Sequence, residues 1–218
     1  MIQIKDLGFS YGEKIVLKDI TMTLEEGRIY GLLGENGVGK TTLLTLLCGL
    51  KKVKAGSIDI DGHNPYDREP SILGDLDYLS DEVPAVNMKA KDYAENYGKF
   101  WEGFDMSKFM TIMEELDNDP NQKMNKMSFG QLKKTYIAFA LACNAKYLFM
   151  DEPTNVLDIP SKAQFRKAIM KHTREDATLL ISTHQVRDLE NIIDPIIILD
   201  KKEVLLNASI EEIADKLY

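Results

Sequence analysis

The sequence predicts an α/β fold, a largely parallel sheet with helices packed on it, interrupted by a helical lobe at about residues 80–145. Three observations carry this reading. Apolar strand candidates alternate with helix-like segments on both sides of the lobe. Inside it, the spacing of apolar residues changes from two to three or four. A glycine-rich loop at 34–42 joins a strand candidate directly to a helix candidate.

In order along the chain, Ile2 and Ile4 alternate with polar residues, "KIVLKDITMTL" (14–24) is rich in β-formers, and "RIYGLL" (28–33) reads as a buried strand. "TTLLTLLCG" is a short helix whose end at Gly49 suits a left-handed C-cap. "GSIDIDG" (56–62) alternates again, and Asn64-Pro65 marks a turn. From about Met88 to Leu116 the pattern is helical, with Tyr93, Tyr97, Phe100 and Trp101 and then Phe109, Ile112, Met113 and Leu116 on one face. After a polar loop at 117–123, "KMSFGQLKK" (126–134) precedes an apolar-periodic run. "YLFMD" (147–151) and "TLLIST" (178–183) are short strands flanking a helix at about 160–174. "PIIILD" and "EVLL" close the strands, and "SIEEIADKL" (209–217) is an amphipathic helix with capping-box spacing at Ser209 and Glu212.

At 218 residues the chain can bury a sizeable core in one domain or one domain plus a lobe. A net charge of −8 argues against a protein held mainly to nucleic acid or anionic lipid by a basic surface, so no nucleic acid partner is expected. Cys48 and Cys143 lie in apolar, helix-like runs with no metal-ligand spacing, which fits a reducing cytoplasm. No secretory leader pattern opens the sequence, and no apolar run approaches the roughly 20 residues that span a bilayer. Any membrane part must come from another chain.

"GENGVGKTT" matches G-x-x-x-x-G-K-[ST] between a strand and a helix. Gly34, Gly37 and Gly39 let the backbone of Gly34, Glu35, Asn36, Gly37, Val38 and Gly39 curl so that its N–H groups face phosphate oxygens. Lys40 would reach the β- and γ-phosphates and the Thr41 hydroxyl would bind Mg²⁺, with Thr42 continuing the helix N-terminus that faces the same charge. In "YLFMDE" an apolar strand ends at Asp151, suited to Mg²⁺, and Glu152 follows where it can orient or deprotonate an attacking water. Pro153 disfavours the α conformation at Glu152. Alone, the same residues also describe a solvated turn. Likewise Ser128 and Gln131 have the spacing of a capping box that starts a helix, or belong to half of a nucleotide site.

With Tyr11, "GENGVGKT", the helical lobe, "SFGQ", "YLFMDE", "NVLD" (155–158) and "STH" (182–184) in this order, the chain resembles the nucleotide-binding subunit of an ATP-binding cassette (ABC) transporter over nearly its whole length. The resemblance implies a P-loop NTPase core with a mainly parallel sheet, an N-terminal antiparallel β subdomain and the inserted helical lobe, all within a single domain spanning 1–218. It implies ATP and Mg²⁺ as cofactors, Tyr11 stacked on adenine, and Ser128, Phe129, Gly130 and Gln131 as the signature motif that meets ATP held by a partner subunit. That partner is a second copy or a paralogue in a head-to-tail dimer. Asp158 resembles the D-loop aspartate, and His184 resembles the switch histidine that contacts the γ-phosphate and orients Glu152.

Two positions depart from the family pattern. Phe129 replaces a glycine, and Asp81 occupies the place of a glutamine that senses Mg²⁺, so the metal set carried over is Thr41, Asp151 and Asp81. The implied function is an ATPase that drives a separate integral membrane permease from the cytoplasmic face. An exporter is favoured by the short cassette and lysine-rich "SFGQLKK". The competing expectation is a soluble ABC ATPase outside transport, for example in iron–sulfur cluster assembly. His63 and His172 match no motif and are expected at the surface.

Overall fold

A computed structural model describes residues 1–189 and 191–215. Strands β1 (Ile2–Tyr11) and β2 (Lys14–Leu24) form an antiparallel hairpin across Gly12 and Glu13. β3 (Ile29–Leu33) then leads through the glycine-rich loop into helix α1 (Lys40–Leu47). β4 (Ala55–Ile60) returns to β1, giving a three-stranded antiparallel sheet ordered β2-β1-β4. A four-residue helix α2 (Pro70–Leu73) precedes β5 (Leu76–Leu79).

The helical lobe follows. The helical pattern expected from about Met88 to Leu116 is carried by two helices, α3 (Ala90–Gly98) and α4 (Met106–Glu115). The chain turns back between them where Phe104 packs so closely on Gly98, the last residue of α3, that a Cβ there would lie 2.4 Å from its ring. Trp101 stays on the core, edge-on to Phe139, and donates its Nε1–H to Leu76 O (3.2 Å), while Asp105 caps α4 by accepting from the Lys108 N–H. Helix α5 (Phe129–Ala142) crosses back to β6 (Tyr147–Asp151), followed by α6 (Ile159–His172), β7 (Thr178–Thr183), β8 (Ile196–Asp200), β9 (Glu203–Ala208) and α7 (Ile210–Asp215). Residues 216–217 of the last expected helix lie outside the described residues.

The second sheet runs β5-β6-β7-β3-β8-β9, parallel except for the antiparallel edge strand β9. Side chains on a strand alternate between faces, so each central strand feeds two cores. On β6, Tyr147 and Phe149 join α1 and the antiparallel sheet, while Leu148 and Met150 join α5, α6 and the lobe. On β7, Leu180 takes the first side, and Leu179 and Ile181 take the second. Helix α1 is therefore clamped between two sheets, and Leu43, Leu44, Leu46 and Leu47 are all essentially buried. Each contributes on the order of 2 kcal/mol by burial.

This clamp gives Gly49 its role. It ends α1 at φ +64°, donating its N–H to Leu46 O (3.0 Å), and a Cβ there would lie 2.0 Å from Pro65 O. His172 corrects the surface expectation: it is half-buried, with Nε2 2.8 Å from Glu115 Oε2, and it joins α6 to α4. His63 pairs with Glu69 at 2.9 Å in an open position. Among the described residues no helix is long and apolar enough to cross a membrane.

Gly49→Ala should lower the thermal midpoint by at least about 4 °C, since it combines a strained φ with a backbone clash costing about 2 kcal/mol. Unfolding followed by circular dichroism tests this, and an unchanged midpoint would mean that the α1 end is not held as described.

Candidate functional site

Because β3, β6 and β7 are parallel and in register, their carboxyl ends meet along one edge of the sheet, where ligands of open α/β sheets bind. Leu33 pairs with Thr183, and Asp151 pairs with Ser182. The loop after β3, the acid ending β6 and the histidine after β7 therefore face one cavity of about 470 Å³. Its walls include Tyr11, Asn36, Lys40, Thr41, Asp151, Glu152 and His184, with Asp81 also at the lining.

The phosphate loop curls as its glycines require. Gly39 precedes α1 at φ +120°, and a Cβ would press against Leu17 Cδ2 (2.9 Å) and Val16 Cγ1 (3.2 Å). Lys40 is 5% exposed, its ammonium donating to Gly34 O (2.7 Å) and Glu35 O (3.3 Å). It also stands 3.4 Å from Glu152 Oε1, an oxygen that is buried without a hydrogen bond. The two statements agree: the pair is close enough for Coulomb attraction but lacks hydrogen-bond alignment. Lys40 is thus anchored to its own loop, and its cationic head faces the site's acid.

The acids are held from both sides. Asp151 Oδ2 accepts from the Thr41 hydroxyl (2.5 Å) and Oδ1 from the Ser182 hydroxyl (2.5 Å). Ser182 Oγ in turn accepts the Glu152 N–H (3.0 Å). Glu152 sits at φ +44°, not in the extended region expected ahead of Pro153. Proline disfavours the right-handed helical region at this position, and with the left-handed backbone the Glu152 side chain lines the cavity. Its Oε2 is 2.9 Å from His184 Nδ1, and Gln185 Nε2 lies 3.1 Å from the other ring nitrogen.

Thr41 and Asp151 offer hard oxygen donors at one point, which fits Mg²⁺, an ion that keeps several waters and takes only one or two protein oxygens. Among the described residues no three His, Cys, Asp or Glu side chains converge as a metal cage. Asp81 borders the cavity, and its carboxylate is 3.7 Å from the Lys133 ammonium.

Tyr11 ends β1 half-exposed, edge-on to Phe9 at 5.0 Å, with the Lys51 ammonium 5.2 Å from its ring centroid and its hydroxyl 3.5 Å from Thr42 Oγ1. Hydrogen bonding to Thr42 holds its phenol below the usual tyrosine range, against desolvation. Ser128 caps α5 with a complete capping box: its Oγ accepts the Gln131 N–H (3.2 Å), and Gln131 Oε1 accepts the Ser128 N–H (2.9 Å). Among the described residues no group accepts the Ser128 hydroxyl hydrogen, so capping and anion contact are compatible. Phe129 is 83% exposed, and a Cβ on Gly130 would be 3.5 Å from Val156 O. The start of α5 therefore abuts the 155–158 loop. Asp158 caps α6 by accepting the Ser161 N–H (2.9 Å), and these Ser161 hydrogen bonds keep its carboxyl below the usual range.

The ABC transporter family profile matches residues 17–155, more than half of the chain. The chain belongs to the ABC transporter family. It is an ATPase of that family, the nucleotide-binding subunit, and it binds ATP. It is 28% identical over 215 residues to the ABC transporter ATP-binding protein NatA of Bacillus subtilis, covering 94% of this chain and 87% of that one. It is 29% identical over 197 residues to the lantibiotic transport ATP-binding protein SrtF of Streptococcus pyogenes, covering 89% and 84%. In fold it matches a dimeric, post-hydrolysis ATP-binding cassette bound to ADP and Pi, with a TM-score of 0.82 at 23% identity over 96% of this chain and 98% of that one.

Ser182 and Lys133 are the site-forming residues that sequence reasoning missed. Ser182 acts through register with Asp151, which no local pattern reveals. Lys133 did leave a signal, since it shares the apolar spacing of Tyr136, Ile137, Ala140 and Leu141 in a helix whose inner face is buried.

Ser182→Ala removes the donor to Asp151 and the acceptor of the Glu152 N–H together. Steady-state assays should find kcat lowered roughly tenfold or more, with the ATP dissociation constant nearly unchanged. Equal losses in binding and turnover would contradict an orienting role for the serine.

Proposed function

We propose that this ATPase powers an export permease from the cytoplasmic face of the membrane, working as a head-to-tail dimer with a second copy or a paralogue. The reading rests foremost on one observation: Glu152, His184 and Lys40 converge on the cavity beside the phosphate loop, with His184 Nδ1 2.9 Å and Lys40 Nζ 3.4 Å from the two Glu152 oxygens.

In this scheme the N–H groups of residues 34–39, the α1 N-terminus and Lys40 bind the ATP phosphates, and Tyr11 stacks on adenine, a contact worth about 1 kcal/mol. Glu152 orients the attacking water and takes its proton as the water oxygen bonds the γ-phosphorus and the bond to the β-phosphate oxygen breaks, leaving ADP and phosphate. His184 keeps the Glu152 carboxylate aimed and reaches the γ-phosphate. Thr41 and Asp151, with Asp81 at the margin, would hold Mg²⁺, which when bound supplies positive charge against the phosphate oxygens.

The first turn of α5 is the dimer half of the site. Ser128, Gly130 and Gln131 would meet the nucleotide of the other subunit, with Phe129 projecting beside them and Asp158 on the adjoining loop. Support comes from the Ser128 hydroxyl hydrogen, which no described residue accepts, from the exposed helix N-terminus and from the dimeric state of the structural relative. Export is favoured by the lantibiotic transport role named for one relative. ATP can drive a permease only by binding closed and open dimers with different affinity.

Glu152→Gln should lower turnover at least about 100-fold while ATP binding persists, and ATP should then trap dimers visible by light scattering. Wild-type turnover in that variant would remove Glu152 from the proton-accepting role. The transport reading is tested by purifying the tagged chain from detergent-treated native membranes. A stoichiometric multi-spanning protein is expected, and a purely soluble assembly would refute a permease-driving role.

A further inference from the structure

The unexpected cation of this molecule is Lys133. It lies one and a half turns into α5 and is 1% exposed, yet it faces neither solvent nor an obvious acid of its own helix. Its ammonium donates to Ser80 O (3.0 Å) and Asp81 O (2.7 Å), and Asp81 Oδ1 lies 3.7 Å away. A buried ammonium held by carbonyls alone keeps its full charge, and removing charge from water costs several kcal/mol unless an opposite charge is near. Burial pushes the Lys133 amine down, and Asp81 leads the groups opposing that push, followed by Asp151 and Glu152.

We propose that Asp81 and Lys133 are a matched charge pair that ties α5, and with it the Ser128–Gln131 turn, to the 80–82 loop at the edge of the nucleotide cavity. The pair assigns Asp81 a counter-ion and positioning role, which a neutral glutamine at 81 could not fill. The geometry makes the link stiff. Lys133 is five residues from Ser128 along one continuous helix, and its two carbonyl bonds grip the backbone of the loop instead of a mobile side chain. A displacement of the loop by nucleotide in one subunit would therefore move the helix turn that faces the other subunit. Asp81 is 43% exposed toward the cavity, so its carboxylate can answer to charge on either side. Tyr136, one turn further along α5, extends the tether by donating its hydroxyl to Pro84 O (2.9 Å).

The inference rests on ATP hydrolysis in this cavity, and its test separates the two. Wild type, Asp81→Asn, Lys133→Met and the double variant are compared by nucleotide-free thermal melting, by kcat and KM for ATP, and by the Mg²⁺ concentration giving half-maximal rate. Asp81→Asn should lower the melting midpoint by about 3–6 °C, and adding Lys133→Met should recover most of it, because an apolar side chain of similar volume removes the unpaired charge. The double variant should nonetheless stay roughly tenfold low in kcat with KM within about twofold, since residues 80–81 are no longer held to α5 and only the Tyr136 bond to Pro84 remains. Additive melting shifts would overturn the pair. So would an unchanged midpoint in Asp81→Asn with an approximately tenfold higher Mg²⁺ requirement, which would make Asp81 a metal ligand alone. A double variant with wild-type kcat would overturn the positioning role. A wild type without turnover would instead defeat the functional reading, and the melting cycle would still decide whether the pair exists.

Discussion

The parallel register of β3, β6 and β7 is the constraint on which the site depends. Pairing Leu33 with Thr183 and Asp151 with Ser182 ends three strands at one level, so residues far apart in sequence emerge at one edge. A slip of β6 or β7 by one residue would send every side chain to the opposite face of the sheet, into the core shaped for its neighbours. Here the penalty would fall on both faces at once, because β6 and β7 send alternate residues into two different cores. The chemistry therefore inherits its precision from packing. Thr41, Asp151, Ser182 and Glu152 form one chain of hydrogen bonds, of 2.5, 2.5 and 3.0 Å, because the register sets their backbones side by side.

On that edge the protein places a lysine and a glutamate that are both largely covered by their neighbours. Lys40 is 5% exposed and Glu152 is 8% exposed. Each is tolerable only because the other is near and because loop carbonyls, Ser182 and His184 supply polar contacts. The buried Glu152 oxygen that lacks a hydrogen bond is the least satisfied atom of this set. It is also the carboxylate oxygen that faces, at 3.4 Å, the cationic head that would meet phosphate. Such incomplete satisfaction is costly in a fold and useful in a site, where a ligand completes it.

The helical lobe connects to this edge through α5. Its N-terminus carries the capped turn facing outward, its inner face is packed against β6, and Lys133 reaches the 80–82 loop. Asn118 adds a further anchor by donating to Gln131 O and Thr135 Oγ1, both at 2.8 Å, which fixes the first turn from the lobe side. The lobe is thus more than an insertion that fills space. It holds the helix whose first turns carry both the outward-facing capped turn and Lys133, while its far end is pinned to the lobe by the Asp105 N–H bonded to Ala142 O.

Local patterns carry what depends on neighbours in the chain. The strand and helix order, the phosphate loop and the capping box at Ser128 and Gln131 were all legible in the sequence, since each follows from spacing or from glycine's permitted backbone angles. The family likeness was legible for a related reason, as its motifs are short and ordered. The break between α3 and α4 was not, because it depends on Phe104 folding back onto Gly98 and on Trp101 reaching a carbonyl on β5. Nor were the left-handed Glu152 or the partnership of Ser182 with Asp151, and the spacing that marks Lys133 as inward-facing does not name Asp81 as its partner. These are decided by contacts between residues that folding brings together from 31, 25 or 52 positions apart, and only the register of the sheet and the docking of α5 say which groups will meet.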